Sequence, residues 1–223
     1  MQRPQIVRSK IKKIVLVGRS EKFNKIVRQY FSHAEVILIP WRTSVHALKE
    51  SNLSSFFGAD LVLVCGYDYS SSTYDFNKYI YANVTSPLQV VRAIANPSTP
   101  IIYIDTLQGV KPFTLSRYQY AKHALGVALR EHFSYFSVLN VPTIINQNGN
   151  VDVKGGIFTK LVFNTLNKMG ILKTITTDEL TNLLLSVLNN QCNKKYDFLV
   201  LQSKFLKIRR TLFLDRLLRF VGG

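Results

Sequence analysis

Between residues 12 and 142, short runs rich in Val, Ile and Leu alternate with amphipathic stretches. KKIVLVG (12–18), AEVILIP (34–40), ADLVLVCG (59–66), TPIIYIDT (99–106) and YFSVLNVP (135–142) are too short for helices and too evenly apolar for strands with a wet face. Strands buried on both faces read this way, and they occur in parallel sheets whose crossover helices cover both sides. Helical spacing fills the gaps. EKFNKIVRQYF (21–31) places Phe23, Ile26, Val27 and Tyr30 on one side, HALKESNLSSFF (46–57) follows the second run, and residues 73–95 follow the third, with Pro87 marking a turn or kink. SRYQYAKHALGVALREHF (116–133) is the strongest helix. The order predicts an α/β fold, a doubly wound parallel sheet. After residue 142 it weakens. QNGNVDVKGG (147–156) reads as a loop, IFTKLVFNTLNKMG (157–170) and TTDELTNLLLSVLNNQ (176–191) as helices, and YDFLVL (196–201) as a late strand. Thr176 or Thr177, ahead of Asp178 and Glu179, supplies an N-cap for the second of these helices. Residues 10–223 are expected to form one domain, with 143–223 as a small, mainly helical appendage.

The chain of 223 residues can bury a sizeable core, and its 47% hydrophobic content is ordinary for a globular domain. Its charge is not ordinary. Lys and Arg total 29 against 13 acidic residues, a formal +16, which favours an anionic partner: nucleic acid, a membrane surface or a phosphorylated ligand. The excess gathers at the ends, in Arg3, Arg8, Lys10, Lys12 and Lys13, and again in Lys204, Lys207, Arg209, Arg210, Arg216 and Arg219. Residues 204–221 form a basic amphipathic helix pattern, suited to peripheral contact with an anionic membrane or to packing on the domain with its cations in water. Beyond charge, no nucleic-acid motif is present, and no nucleic acid is expected as partner. His33, His46, His123 and His132 show no metal-ligand spacing, and there is no Gly-x-Ser-x-Gly elbow, so no metal is expected. Cys65 sits in an apolar run as a small hydrophobe, and with Cys192 far away a reducing cytoplasmic setting fits. No signal-peptide pattern or apolar stretch of about 18 residues occurs, so a cytoplasmic protein, at most peripheral to the membrane, is expected.

In an open parallel sheet, ligands bind beyond the carboxyl ends of the strands where strand order reverses. Gly18, Arg42, Gly66, Thr106 and Pro142 all fall at or just past such ends. Tyr118 and Lys122 lie on the next helix at i and i+4, hence on one face. A nearby ammonium favours a phenolate, and a Tyr tuned this way can exchange a proton with a carbinol oxygen near neutral pH.

These motifs in this order resemble the short-chain dehydrogenase/reductase superfamily, in particular its extended branch of nucleotide-sugar epimerases, dehydratases and reductases. The resemblance runs over residues 12–200: ADLVLVCGY, YANVTSPLQVVRAI with Asn83, IIYIDT, YQYAK as Tyr-x-x-x-Lys, VLNVPTII and TTDELTNLLLSVL. It implies a Rossmann-like fold in which Tyr118 is the catalytic acid/base and Lys122 holds the nicotinamide ribose. It also implies that Thr106 bonds the substrate oxygen and that Asn83 is a structural or relay residue. Gly18, Arg19, Ser20, Arg42, Ser44, Gly66 and Pro142 would border the cofactor, with 143–223 as a reduced substrate-binding region. A strand-end Thr that satisfies local backbone, and a helical Asn that does the same, are the alternative readings.

The chain departs from the resemblance after the first strand, where VGRSEKFNK keeps only Gly18 of the expected glycines. Side chains stand where backbone should meet pyrophosphate, although Arg19, Ser20, Lys22, Lys25 and a helix N-terminus could hold phosphate another way. Asp105 stands before Thr106 where the family has a small hydroxyl residue, and the stretch from Thr106 to Tyr118 is short. PWRTS, with Arg42, Thr43 and Ser44 and no carboxylate, favours NADP over NAD if a dinucleotide binds at all; otherwise Arg42 is a surface residue beside a partly buried Trp41. Two functions are therefore expected to compete. One is an NAD(P)-dependent oxidoreductase or epimerase-type enzyme acting on a nucleotide-linked sugar, set by the resemblance in surface polysaccharide synthesis. The other is a catalytically inactive Rossmann-fold binding or scaffold protein associated with a membrane or a polysaccharide-synthesis complex. A homodimer is compatible with either.

Overall fold

The computed structural model describes residues 10–18, 20–50, 57–106, 117–146, 148–151, 157–170, 172 and 174–190. Its centre is a five-stranded, wholly parallel sheet in the order β2-β1-β3-β4-β5. The strands are β1 (Lys13–Val17), β2 (Glu35–Ile39), β3 (Leu61–Val64), β4 (Ile101–Thr106) and β5 (Phe136–Val141). The five strands expected between residues 12 and 142 are all present. β1 and β3 are the most deeply buried, because each is flanked on both sides by another strand and covered on both faces. The order matches the five-stranded doubly wound arrangement, with its switch point between β1 and β3.

Alternate side chains point to opposite faces and build two cores. On one face Ile14, Leu16, Leu61, Leu63, Ile102 and Ile104 pack with Phe23, Ile26 and Val27 of α1 (Glu21–Tyr30) and with Leu180, Leu184 and Val187 of α7 (Thr177–Asn190). On the other, Val15, Val17, Val62, Val64 and Tyr103 pack with Val90, Val91 and Ile94 of α4 (Ser86–Ile94) and with Leu125 and Leu129 of α5 (Arg117–His132).

The helix expected over 73–95 runs as unbroken helical backbone over residues 76–94, with a wide turn inside it. A 3-10 turn (Tyr69–Thr73), α3 (Phe76–Ile80), a π-helical turn (Tyr81–Thr85) and α4 follow one another. Pro87 explains the wide turn. It has no N–H to offer the carbonyl of Asn83, and its ring would crowd that carbonyl, so the backbone widens and Ser86 N–H reaches back to Tyr81 O. Of the helix expected over 46–57, α2 (Val45–Glu50) is described; residues 51–56 lie outside the described set.

Past β5, two strands of two residues each, β6 (Thr143–Ile144) and β7 (Thr174–Ile175), pair in parallel, and α6 (Ile157–Lys168) lies between them. These strands were not anticipated. Ile145 also bridges Val151 across the expected loop. Thr176 caps α7 with a reciprocal pair of bonds: Glu179 N–H donates to Thr176 Oγ1 at 3.2 Å and Thr176 N–H donates to Glu179 Oε2 at 2.7 Å. The late strand (196–201) and the basic helix (204–221) fall outside the described residues. No described helix is long and apolar enough to cross a membrane.

Candidate active site at the carboxyl ends of the strands

α5 begins beyond the end of β4 and carries Tyr118 and Lys122 one turn apart. Lys122 falls on the apolar face with Leu125 and Leu129, and it is 6% exposed. Its Nζ donates to Ile104 O at 2.7 Å and lies 4.7 Å from the centre of the Tyr103 ring, while Tyr103 OH donates to Lys122 O at 2.8 Å. Gly126 leaves room for this packing, since a Cβ there would lie 3.2 Å from the Tyr103 ring. Burial pushes the Lys122 ammonium down to about 8, against the opposing pull of Asp105 and Cys65.

Tyr118 is half-buried, with phenols as near neighbours. Its ring meets Tyr67 edge-on with centroids 4.6 Å apart and stacks with Tyr69 at 6.4 Å, and it shares a hydrogen bond with Tyr69. Tyr67 OH and Tyr79 OH are 3.1 Å apart, and Tyr79 OH donates to Arg117 O at the start of α5. Burial, then the bond to Tyr67, raises the Tyr79 phenol far above its usual range, so it stays protonated as a donor. The first turn of α5 is thus fastened to α3 through a tyrosine cluster.

Asn83 sits in the π-helical turn and is 1% exposed. Its Oδ1 accepts from Asp68 N–H at 2.8 Å, and its Nδ2 donates to Ser71 Oγ at 2.9 Å and Tyr79 O at 3.2 Å. It holds the turn after β3 in place. That turn presents Asp68, whose side chain is 2% exposed and which accepts from Arg42 Nη2 at 2.6 Å. Arg42 also bonds Ser70 Oγ. Burial pushes the Asp68 carboxyl up, but the bonds from Arg42 and Ser70 outweigh it and hold it below its ordinary value. The guanidinium expected to face a ligand phosphate is therefore engaged by this chain's own carboxylate, although its side chain remains 63% exposed.

The switch point itself is tightly closed. Gly18 adopts φ +109°, and a Cβ there would lie 2.6 Å from both Cα and N of Gly66. A Cβ on Gly66 would lie 2.0 Å from the Trp41 ring. Gly66 makes room for an indole. Trp41 is 7% exposed and joins the core cluster of that face, yet its Nε1–H has no hydrogen-bond partner among the described residues.

The other expected site residues are placed as follows. Ser20 is the N-cap residue of α1, without a side-chain capping bond. Ser44 Oγ accepts from Ala47 N–H at 3.1 Å and so caps α2. Lys25 pairs with Glu21 at 3.3 Å on the surface. Cys65 is half-buried rather than buried, with Sγ 3.7 Å from Gly18 O, because it lies past the end of β3. Pro142 is half-buried between β5 and β6. Thr106 closes β4 opposite Val141. Arg19 and the Thr106 side chain lie outside the described residues. No group of three metal-ligating side chains occurs among the described residues.

Tested against a nicotinamide dinucleotide, the two halves of the crevice differ. Tyr118 and Pro142, past the ends of β4 and β5, are half-buried and not covered by an aromatic plug, whereas Lys122 and Asn83 are buried and bonded within the chain. Trp41, Arg42 and Ser44 do not leave the adenosine end open. Asp68 was missed by sequence reasoning, and Trp41, expected to be partly buried, is buried over Gly66. A faint signal existed for Asp68, because Asp before a Ser cluster marks a capped turn.

No family sequence model matches the chain, and no curated protein matches it. Solved structures do. The dTDP-4-dehydrorhamnose reductase from Bacillus anthracis, in complex with NADP, superposes with a TM-score of 0.54 at 10% identity, over 82% of this chain and 72% of that one. A GDP-L-fucose synthetase from Naegleria fowleri gives 0.53 at 12% identity, over 84% and 70%. The Bordetella bronchiseptica enzyme WbmG, in complex with NAD, gives 0.54 at 10% identity, over 80% and 68%. The chain shares the Rossmann-like α/β fold of these solved structures.

Proposed function

We propose that this protein is an oxidoreductase or epimerase-type enzyme acting on a nucleotide-linked sugar, with NADP favoured over NAD. One observation carries the reading: a buried ammonium, Lys122, is kept one turn from a half-exposed phenol, Tyr118, at the end of β4. Burying an ammonium is costly, and a core position on α5 would be better filled by Leu or Met. A nicotinamide dinucleotide, when bound, supplies the hydride. The chain's own residues do the rest. Tyr118 exchanges a proton with the carbinol oxygen, Lys122 supplies positive charge beneath that exchange, and Asn83 with Tyr79 fixes the orientation of both elements. Structural neighbours that act on dTDP- and GDP-linked sugars support the sugar-nucleotide assignment. Work on surface polysaccharide, a homodimer and membrane contact through residues 204–221 belong to the same proposal. Flotation with anionic liposomes, with and without residues 204–223, tests the membrane contact; equal recovery counts against it.

Thermal melting with millimolar NADPH or NADH tests the cofactor, because specific binding raises the midpoint by mass action. Tyr118→Phe should keep that shift and abolish turnover. A fully active Tyr118→Phe removes the phenol from the mechanism, and no shift with either cofactor sinks the enzyme reading. Trp41 on Gly66 favours the second reading, a binding protein of this fold that has given up the dinucleotide.

A further inference from the structure

We propose that Trp41 is a movable plug in the nucleotide crevice, latched by Arg42, and that the adenosine half of a dinucleotide enters only when the indole leaves Gly66. The proposal rests on reading the crevice as a nucleotide site, and it says how that site is regulated.

The plug stands at the switch point between β1 and β3, where a doubly wound sheet offers its ligand crevice. Gly18 ends β1, Gly66 follows β3, and their backbones nearly touch. The indole lies over Gly66 so closely that no side chain could exist there. The glycine is thus matched to the closed state.

The indole is well packed but poorly satisfied. Buried Trp normally finds a partner for its N–H. Trp41 Nε1 is the one buried side-chain nitrogen or oxygen among the described residues that has none. An unpaired donor at 7% residue exposure biases the closed state against itself, so displacement regains a hydrogen bond.

A latch offsets that bias. Pro40 to Thr43 form a turn closed by Thr43 N–H donating to Pro40 O at 3.0 Å. Arg42, the next residue after the plug, ties this turn to Asp68 and Ser70. Its side chain is 63% exposed, so an incoming phosphate can reach the guanidinium and compete with Asp68 for it through bidentate bonds. The ligand that opens the crevice therefore carries a phosphate near its ribose. Adenosine 2′,5′-bisphosphate, the adenosine half of NADP, is the probe of that chemistry.

Trp41 is the one Trp in the chain, so its fluorescence reports the plug alone. With excitation of the indole in the full-length protein, the free state should emit at short wavelength and resist iodide. Saturating adenosine 2′,5′-bisphosphate or NADP+ should shift the emission to longer wavelength and raise iodide quenching at least threefold. Trp41→Ala should bind the same probe at least tenfold more tightly, since the cost of opening has been removed. The wild-type spectrum keeps the test valid even where Trp41→Ala folds poorly. NADP+ binding with an unmoved indole, or a folded Trp41→Ala that binds no tighter, overturns the plug and leaves the enzyme reading standing. Failure of both proteins to bind either probe overturns the plug and the enzyme reading together, and favours the binding protein.

Discussion

Lys122→Met separates the effect of the buried ammonium on stability from the chemical role proposed for it. In the folded protein the amine titrates near 8, against 10.5 for the ordinary side chain. Below about pH 8 both folded and unfolded chains carry the proton, and the folded state bears the full desolvation penalty, roughly 3 kcal/mol. Met removes that penalty. It also removes the bond to Ile104 O and the contact with the Tyr103 ring, which together contribute about 1–3 kcal/mol. The net change at pH 7 is small, between neutral and about 2 kcal/mol stabilising. The pH dependence is larger and has a fixed sign. Between about 8 and 10.5 the unfolded chain holds the proton and the folded chain does not, so the wild type gains stability as pH rises. Its position relative to Lys122→Met should improve by roughly 2–3 kcal/mol from pH 7 to pH 10. Urea unfolding at the two pH values, followed by circular dichroism, measures this directly, because other titrating groups cancel in the difference. A gap that stays constant from pH 7 to pH 10 refutes the buried-ammonium reasoning, as does a Lys122→Met loss above about 3 kcal/mol at pH 7. The same variant should lose turnover, so stability and activity would move apart.

Three further perturbations have definite outcomes. Gly18→Ala places a Cβ 2.6 Å from Gly66 backbone at φ +109°, and backbone cannot step aside as a side chain can; a loss of roughly 2–4 kcal/mol by urea midpoint is expected, and under about 1 kcal/mol would show that the β1 and β3 ends separate freely. Asn83→Ala strands the buried N–H of Asp68 and should cost about 2–3 kcal/mol, with faster amide exchange in the 68–73 turn; unchanged exchange would deny Asn83 its holding role. Arg42→Met leaves the Asp68 carboxyl buried without its counter-ion, so its folded pKa rises above the unfolded one and the variant is least stable near neutrality. As pH falls from 7 toward 4 the acid takes up a proton and the gap to wild type should narrow; a gap that is flat across this range would mean that Asp68 is never short of a partner.

The sheet was legible because parallel strands covered on both faces must be apolar throughout, and KKIVLVG and ADLVLVCG have few other readings. The burial of Lys122 was legible too, in hindsight, because it shares its helix face with Leu125 and Leu129 at i+3 and i+7. The wide turn at Tyr81–Thr85 was half-visible. Pro87 announced a disturbance, but apolar spacing cannot distinguish an i+4 from an i+5 ladder over one turn. β6 and β7 are two residues each, shorter than any period can register. Gly66 was read as bordering a cofactor, and it makes room for Trp41. No local pattern could show that, since the contact joins the ends of β2 and β3 across β1.

The two halves of the crevice are not independent. Trp41 sits on Gly66, and its neighbour Arg42 holds Asp68. Asp68 gives its N–H to Asn83, Asn83 gives an amide proton to Tyr79 O, and Tyr79 OH reaches Arg117, the residue before Tyr118. A series of hydrogen-bonded residues therefore runs from Arg42, next to Trp41, to the first turn of α5. Its members differ in how firmly they are held. Asn83, Tyr79 and Asp68 are each 3% exposed or less, whereas the Arg42 side chain is 63% exposed and its ion pair is the part that solvent and anions can reach. Any displacement should therefore begin at Arg42, and the buried bonds behind it would keep Tyr118 in register while the nucleotide side opens. That division of firmness is what the proposed enzyme requires, since a large anionic ligand would be admitted at Arg42 while the bonds behind Tyr118 stay in place.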